Sequence, residues 1–493
     1  MRRLLVLLCA VVAIATVLSL PASAADLKFG GQAYTRYYST DNMRDGNDDV
    51  DDNLNGFTTR MRLYFTARGS ENLMAVFKSE IDDIWGSGRI GRVSTDGGSN
   101  ARADGSAPVG STDPTRYSDA SANSGMEIKN MYIQFNMPNT PLTFMVGALP
   151  AKIGSGLVFN DDTNGIVAVG KFDPVKVALA YSRLQDNAEP TAITPAAFAT
   201  SLQAVTPATP TDASDDWDLW AGQVSFSPMK ELAFTLGGSW MNTAFEAGGD
   251  KNDLNLYNLV LDADFKTDLF SLYFTGGKNF GSVDDPAGGE ADFKGWLISA
   301  GGAVNVNPVV VGLDFFYSSG SNNTDDIETY VTPGVDGRNT YYMDEVIFMG
   351  WFDDESATYP TFPNAGAFTN NLTTTGLTNT NNLKTLTNLW AIGAHVDYKP
   401  FDQTLLQVGG AYIGFVRDVA SETANGLPAS ATNPALKEDD KVGTSLYIRM
   451  SQGIVDGLQL RAVFGYLFAD DGFTPNKNDD DAYKFATGLQ WDW

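Results

Sequence analysis

The residues best suited to acid-base chemistry in this sequence are few. The only histidine, His395, lies two positions from Asp397, so both side chains fall on one face of a strand and resemble half of a hydrolytic dyad. No nucleophile motif such as GxSxG accompanies them, and two residues on one strand do not orient each other as a triad requires. We therefore predict that the chain is not an enzyme and that His395 lines an interior surface.

Metal and cofactor chemistry has little support in the sequence. The single cysteine, Cys9, lies in the first apolar segment, so the rest of the chain has no disulfide, thiolate metal site or covalent haem attachment. The four closely spaced carboxylates that suit a hard cation are Asp48, Asp49, Asp51 and Asp52. Their spacing is not that of an EF-hand loop. We expect no cofactor, with Ca²⁺ or another divalent ion at acidic external loops as the alternative.

A third group of candidate residues is basic and lies on the polar faces of strand-like segments near both ends of the chain. Its members are Arg36, Arg60, Arg62, Lys78, Arg449, Arg461 and Lys484. Alternation of apolar and polar residues places every second side chain on one face of a strand. Whether these cations form one site depends on the elements that carry them.

The first residues predict a secretory signal. A charged start at Arg2 and Arg3 precedes an apolar run from Leu4 to Leu20, and a small-residue cleavage site ends at Ala24. We expect residues 1–24 to be removed on export, which leaves a single domain over residues 25–493.

The charge balance restricts both the partners and the means of crossing a membrane. With 60 acidic and 33 basic residues the chain carries a net charge of −27, which repels nucleic acid. The acids cluster in stretches rich in Asp, Gly and Asn, between the strand-like segments. After the signal no stretch approaches the length of a transmembrane helix, so a membrane-spanning form must use strands.

From Ala25 onward the sequence repeats segments of about ten residues in which apolar side chains alternate with polar or small ones. In the segment from Phe57 to Arg68, the residues Met61, Leu63 and Phe65 alternate with polar neighbours. This pattern is typical of a strand with one face in lipid and the other in water. We predict an all-β protein, a transmembrane antiparallel β-barrel of about eighteen strands.

The connections alternate between short and long, as they do in transmembrane barrels with short periplasmic turns and longer external loops. Gly69–Asn72 and Asp173–Pro174 are short, whereas Asp41–Gly56, Gly86–Gly125, Glu246–Asp253 and Gly281–Asp292 are predicted to be long. The alternation places both chain ends on the periplasmic side.

Two structural alternatives are open at this point. The stretch from Ser319 to Asn388 is rich in Thr and Asn, and Tyr341–Phe352 within it is compatible with an extra strand, a folded loop or a short helix, which leaves sixteen or twenty strands as alternatives. A soluble β-sandwich or propeller is the rival fold. It would not explain why aromatic residues such as Trp220 and Trp240 gather at strand ends.

The last strand carries a family resemblance. Tyr483, Phe485, Leu489, Trp491 and Trp493 share one face of an alternating segment that ends on an aromatic residue. This resembles the carboxy-terminal signature of bacterial outer-membrane proteins, most of which end on Phe. The resemblance implies export to the outer membrane and recognition by the barrel assembly machinery.

A second resemblance is more specific. The stretches Phe144–Pro150, Val158–Gly165 and Ile166–Arg183 are similar to the middle of the trimeric general-diffusion porins of anaerobic, delta-class Gram-negative bacteria. That family implies a homotrimer and an inward-folded loop after the fifth strand, which by position is Pro150–Gly165. The loop is shorter than in general porins, and it carries two carboxylates, Asp161 and Asp162.

Barrel closure gives the basic residues a common site. Because the last strand pairs with the first, the cations at both ends of the chain should form one continuous wall, with Asp161 and Asp162 opposite. Such a transverse field selects solutes by charge and dipole. The alternative is that the arginines only neutralise Glu80 and Asp82.

The predicted function is a passive aqueous channel for small hydrophilic solutes and ions in the outer membrane, in contact with its lipid and lipopolysaccharide. The runner-up is a substrate-specific channel for a sugar, carboxylate or phosphate, in which Tyr34, Tyr64 and Tyr447 act with the arginines. The acidic loops favour cations and the basic wall favours anions, so the sequence leaves ion preference open.

Overall fold

The computed structural model describes residues 26–42, 54–84, 126–185, 217–247, 250–285, 289–320, 326–328, 330–335, 384–385, 389–416, 441–470 and 480–493. Every element named within these ranges is a β-strand. In the same ranges no helix is long and apolar enough to cross a membrane. The predicted signal peptide, the aspartates at positions 48–52 and the Tyr341–Phe352 segment lie outside the described residues.

Eighteen long strands form the wall, in agreement with the predicted number. They are β1 (Asp26–Asp41), β2 (Leu54–Ser70), β3 (Leu73–Ile84), β4 (Met126–Asn136), β5 (Leu142–Ile153), β6 (Phe159–Phe172), β7 (Val175–Gln185), β8 (Trp217–Met229), β9 (Leu232–Ala247), β10 (Asp250–Lys266), β11 (Phe270–Asp285), β12 (Trp296–Val306), β13 (Val309–Ser318), β14 (Leu389–Phe401), β15 (Thr404–Phe415), β16 (Lys441–Val455), β17 (Leu458–Ala469) and β18 (Ala482–Asp492). Shorter strands are Gly289–Asp292, which pairs with β11, and Val331–Thr332, Gly334–Val335 and Lys384–Thr385.

The wall is a closed antiparallel barrel. Each long strand pairs with the next in the chain, and β18 pairs with β1 from Gln32 opposite Asp492 to Asp41 opposite Tyr483. At one end of this seam, Gly31 and Trp493 exchange two backbone hydrogen bonds of 3.1 Å. Closure removes the free edges that an open sheet would expose.

The alternation predicted from the sequence separates two faces of the wall. On β10, Tyr257, Leu259 and Leu261 are 43%, 47% and 45% exposed, while the intervening Asn258 and Asp262 are buried. The same outward apolar belt continues around the barrel, with aromatic pairs such as Trp240 stacked on Tyr257 at 6.0 Å. An outward belt of this kind is suited to lipid, because the strands of the closed wall pair their backbone groups with one another.

The connections at one end of the barrel are short, as predicted, but three at the other end are much shorter than expected. The stretches Pro150–Gly165, Glu246–Asp253 and Gly281–Asp292 were predicted as long loops and are largely strand. Only residues 154–158, 248–249 and 286–288 separate successive strands in these three stretches. The polar composition of the stretches resembles that of loops, yet cross-strand pairing continues through most of each stretch.

Candidate functional site

The predicted basic residues lie together on the inner face of the barrel, where the two ends of the chain meet. We call Arg36, Arg60, Arg62, Lys78, Arg449, Arg461 and Lys484 the basic wall; they lie on β1, β2, β3, β16, β17 and β18, which are consecutive around the barrel. Across the seam, Gly488 stands between Arg461 and Arg36 in the register of the strands. A Cβ at Gly488 would lie 2.8 Å from the Cα of Arg36, so the absence of a side chain lets the two cationic strands approach.

Tyrosines alternate with these cations. The guanidinium carbons of Arg36 and Arg60 lie 5.6 Å and 5.9 Å from the ring centre of Tyr34, which is 2% exposed. Two similar pairs are Lys78 with Tyr64 at 5.2 Å and Arg449 with Tyr447 at 6.0 Å. Rings in this position help to orient the cationic groups.

One buried carboxylate partly neutralises the basic wall. Glu80, whose side chain is 3% exposed, places Oε1 at 3.0 Å from Nη2 of Arg60, and its Oε2 accepts a hydrogen bond from Nε of Arg62. The basic residues thus lie together on one face, and two of the arginines also pair with Glu80, the pairing predicted from the sequence as the alternative. The side chain of Asp82, the other predicted partner, lies outside the described part of the structure.

Asp161 and Asp162 lie on a β-hairpin that leaves the wall and turns into the barrel. β5 pairs with β4 as far as Ala148, and beyond it Pro150 pairs only with Asp162 and Ile153 only with Phe159. We call residues 149–164 the inner hairpin. It occupies the place predicted for the constriction, but as paired strands rather than a loop.

The two carboxylates of the inner hairpin have different surroundings. Asp162 accepts a 2.8 Å hydrogen bond from Nδ2 of Asn130, and its Oδ2 is 3.7 Å from Nζ of Lys129. It also interacts electrostatically with Lys78 of the basic wall. Asp161 is exposed and accepts a bond from the backbone N–H of Asp162. Sequence reasoning missed Lys129, because a bulge between β3 and β4 changes which face it occupies.

The tip of the inner hairpin is bound to the inner face of β8 and β10. The N–H of Gly154 donates to Oε1 of Gln223 at 2.9 Å, and that of Ser155 donates to Oδ2 of Asp262 at 2.9 Å. Gly154 has φ of 58°, and a Cβ there would lie under 3.0 Å from Asp262. Only glycine combines this backbone conformation with so close an approach.

A second chain segment, residues 326–328 and 330–335, also lies inside the barrel, and we call it the inner segment. Gly334–Val335 pairs in parallel with Phe159–Asn160 of the inner hairpin, and Val331 is held by the side chain of Asn279. The sequence left this region open. A signal was nevertheless present on β10, where Leu254, Leu256 and Val260 put apolar residues on the face expected to meet water.

These inward apolar residues belong to a hydrophobic cluster inside the barrel. Its members are Ile153, Val158, Phe159, Leu219, Met241, Leu254, Leu256, Val260, Val283, Ala291, Phe293, Ile327 and Val331. The cluster joins the inner hairpin and the inner segment to the wall between β8 and the Gly289–Asp292 strand. The interior thus has an apolar side, occupied by the inner hairpin and the inner segment, and a cationic, tyrosine-rich side on which Arg36, Tyr34 and Lys484 are also buried.

His395 lies on the inner face, as predicted, but its acidic neighbour differs from the predicted one. Its Nδ1 is 3.2 Å from Oδ2 of Asp314, and Oδ1 of Asp314 accepts a 2.7 Å bond from the hydroxyl of Tyr273. Asp397 instead accepts a hydrogen bond from Gln407. Within the described residues, no group of three or more His, Cys, Asp or Glu side chains is arranged to hold a metal ion.

Comparison with known proteins identifies similar folds but no relative with a similar sequence. No family model and no curated protein matches the chain. Among solved structures it is similar to OccAB1 of Acinetobacter baumannii, with 9% identity, a TM-score of 0.52 and coverage of 96% of this chain and 99% of that one. OccAB3 of the same organism shows 12% identity and a TM-score of 0.52, with coverage of 94% of this chain and 99% of that one. OccK8 (OprE) of Pseudomonas aeruginosa shows 9% identity and a TM-score of 0.51, with coverage of 95% of this chain and 98% of that one. With its closed wall and apolar belt, the chain is an outer-membrane β-barrel.

Proposed function

We propose that the chain forms a passive channel through the bacterial outer membrane for small hydrophilic solutes and ions. The observation that carries the proposal is the basic wall on the inner face, opposed by the inner hairpin in a barrel of eighteen strands. A barrel of this size is too wide for wall side chains to fill, so its interior is an aqueous path wherever no inserted segment occupies it.

The charges of the path favour anions over cations. The basic wall places seven cations on one side of the interior, of which Arg36, Arg60 and Lys484 are buried and act on a passing ion only through their field. Glu80 offsets part of this charge, and Asp162 of the inner hairpin is engaged by Lys129. Fields of external loop charges fall off over about 8 Å at physiological salt, so groups inside the path act more strongly on a passing ion. The sequence left ion preference open, and this arrangement supports anions.

Bilayer conductance of the purified protein tests the proposal. A large open channel with a reversal potential on the anion side supports it, and no conductance from folded protein would reject it.

Three companion proposals concern assembly and partners: assembly as a homotrimer, contact with lipopolysaccharide and folding by the barrel assembly machinery. Crosslinking, lipid analysis and assembly assays address these in turn.

A second candidate is a substrate-specific channel for a small carboxylate or phosphate. The observation that favours it is the half-buried pair of Tyr64 and Lys78, 5.2 Å apart, because an aromatic face beside a cation provides flat contact together with a charge for an anion. Block of the chloride current by a millimolar carboxylate or phosphate would support this candidate. Linear conductance without solute block would favour the general channel.

A further inference from the structure

We propose that Asn279 of β11 is a positioning residue of the channel: its side chain holds the inner segment inside the barrel, and the inner segment in turn supports the inner hairpin. The inference rests on the proposed function, because its main readout is conductance. The inference goes beyond the proposed function because it states that the contact between Asn279 and the inner segment, remote from the basic wall, controls the width of the path.

The side chain of Asn279 binds the backbone of the inner segment at Val331. The inner segment also pairs with the strand Lys384–Thr385 and bonds to the wall at Ile327. Nδ2 of Asn279 donates to the carbonyl of Val331 at 2.9 Å, and its Oδ1 accepts the N–H of the same residue at 2.7 Å. A side-chain amide has the donor and acceptor needed to satisfy both backbone groups of one residue. Asn279 is completely buried, so loss of these bonds would leave backbone groups of Val331 without water as a substitute.

Neighbouring residues make this contact specific. Nδ2 of Asn279 also donates to Oδ1 of Asn258 at 2.6 Å, which orients the amide toward the inner segment. Two positions earlier on the same face, a Cβ on Gly277 would lie 2.7 Å from the hydroxyl oxygen of Tyr330. The ring of Tyr330 is fully buried against this gap in the wall. The wall is therefore shaped to receive Tyr330 and Val331 in succession.

The inner segment is continuous with the inner hairpin beyond this contact. Gly334 and Val335 pair with Phe159 and Asn160, and Val331 packs in the same cluster as Phe159. The hairpin is thus held at its tip by Gln223 and Asp262, at Asp162 by Asn130 and Lys129, and along β6 by the inner segment. Release of Val331 weakens the support along β6.

The first test replaces Asn279 by leucine, which is similar in size and makes no hydrogen bond. We expect roughly a two-fold or larger rise in single-channel conductance, with rapid current fluctuations, because an obstacle inside the path becomes mobile. Asn255→Leu is the matched control, because Asn255 lies on the outward face of β10 and bonds to Trp240. Its conductance should equal that of the wild type.

Val331→Pro provides an independent variant that leaves every wall strand intact. Proline lacks the backbone N–H with which Val331 donates a hydrogen bond to Oδ1 of Asn279, so this change should raise conductance as Asn279→Leu does. It also keeps the inference testable if Asn279→Leu does not fold.

A rescue experiment separates positioning from a general effect on folding. Asn160→Cys and Val335→Cys, introduced into the Asn279→Leu variant, place a disulfide between the paired strands of hairpin and segment. Oxidation should restore wild-type conductance, and reduction should abolish the rescue. Wild-type conductance in both folded Asn279→Leu and Val331→Pro variants would overturn the inference while leaving the channel function intact. A wild-type protein that does not conduct would instead overturn the proposed function.

Discussion

Neutralising Glu80 offers a direct measure of how the basic wall controls ion passage. In the variant Glu80→Gln, Arg60 and Arg62 lose the carboxylate that now contacts both of them. The inner face gains one net positive charge without a change in side-chain length. Of the groups involved, Arg62 is the most accessible, at 17% exposed. An ion passing about 4 Å from its unit charge interacts with it by about 1 kcal/mol in a water-like dielectric. Since 1.4 kcal/mol corresponds to a factor of ten, anion partitioning should rise about five-fold.

The assay is the reversal potential of a single channel between unequal KCl solutions. Glu80→Gln should move the reversal potential further toward that of chloride, and the shift should shrink near 1 M salt, where screening acts over about 3 Å. Glu231→Gln is the control, because Glu231 pairs with the exposed Lys230 at the short turn between β8 and β9 and should leave selectivity unchanged. An unchanged reversal potential in Glu80→Gln, or a shift toward potassium, would refute the role assigned to the wall.

Three further changes test other parts of the structure. Gly31→Leu should prevent closure of the seam, since a Cβ there would lie under 3.0 Å from the ring of Trp493; loss of heat-modifiable mobility on denaturing gels measures this. Gly154→Ala should detach the tip of the inner hairpin from Asp262 and increase conductance and current noise in bilayers. His395→Asn should leave conductance unchanged, because the imidazole lies beside Asp314 and is not part of the basic wall.

Each of these predictions has a contrary outcome that can be recognised. A Gly31→Leu protein that keeps its folded mobility would show that the seam tolerates a side chain. Gly69→Ala should keep the folded mobility in any case, because Gly69 lies at the end of β2 where a Cβ would have only ordinary contact, at 3.9 Å. A quiet, wild-type current from Gly154→Ala would show that the hairpin tip does not limit the path. Loss of a hydrolytic activity in His395→Asn would contradict the prediction that the chain is not an enzyme.

Most of the wall was predictable because each strand carries its own signal. On β2, Met61, Leu63 and Phe65 alternate with polar residues, and this period of two follows from local backbone geometry. The position of the basic wall was also predictable, since closure of any even-stranded barrel pairs its first strand with its last. Arg36 and Arg461 therefore had to approach each other, and Gly488 between them permits it.

The interior of the barrel was less predictable because its contacts join distant segments. The polar stretch Pro150–Gly165 resembled a loop, and only its pairing with itself and the contact with Asp262 make it an inner hairpin. His395 was expected beside Asp397, but the register with the adjacent strand brings Asp314 nearer. Periodicity within a strand does not report which residue of a neighbouring strand lies opposite.

The sequence by itself determined that the chain is a membrane barrel with cations at its seam, because alternation and strand order are local or topological properties. The tertiary structure alone decided that one side of the interior is filled. The apolar inward residues of β10, the amide of Asn279 and the strand Gly334–Val335 are far apart in the chain. Their complementarity exists only when closure of the barrel brings them together.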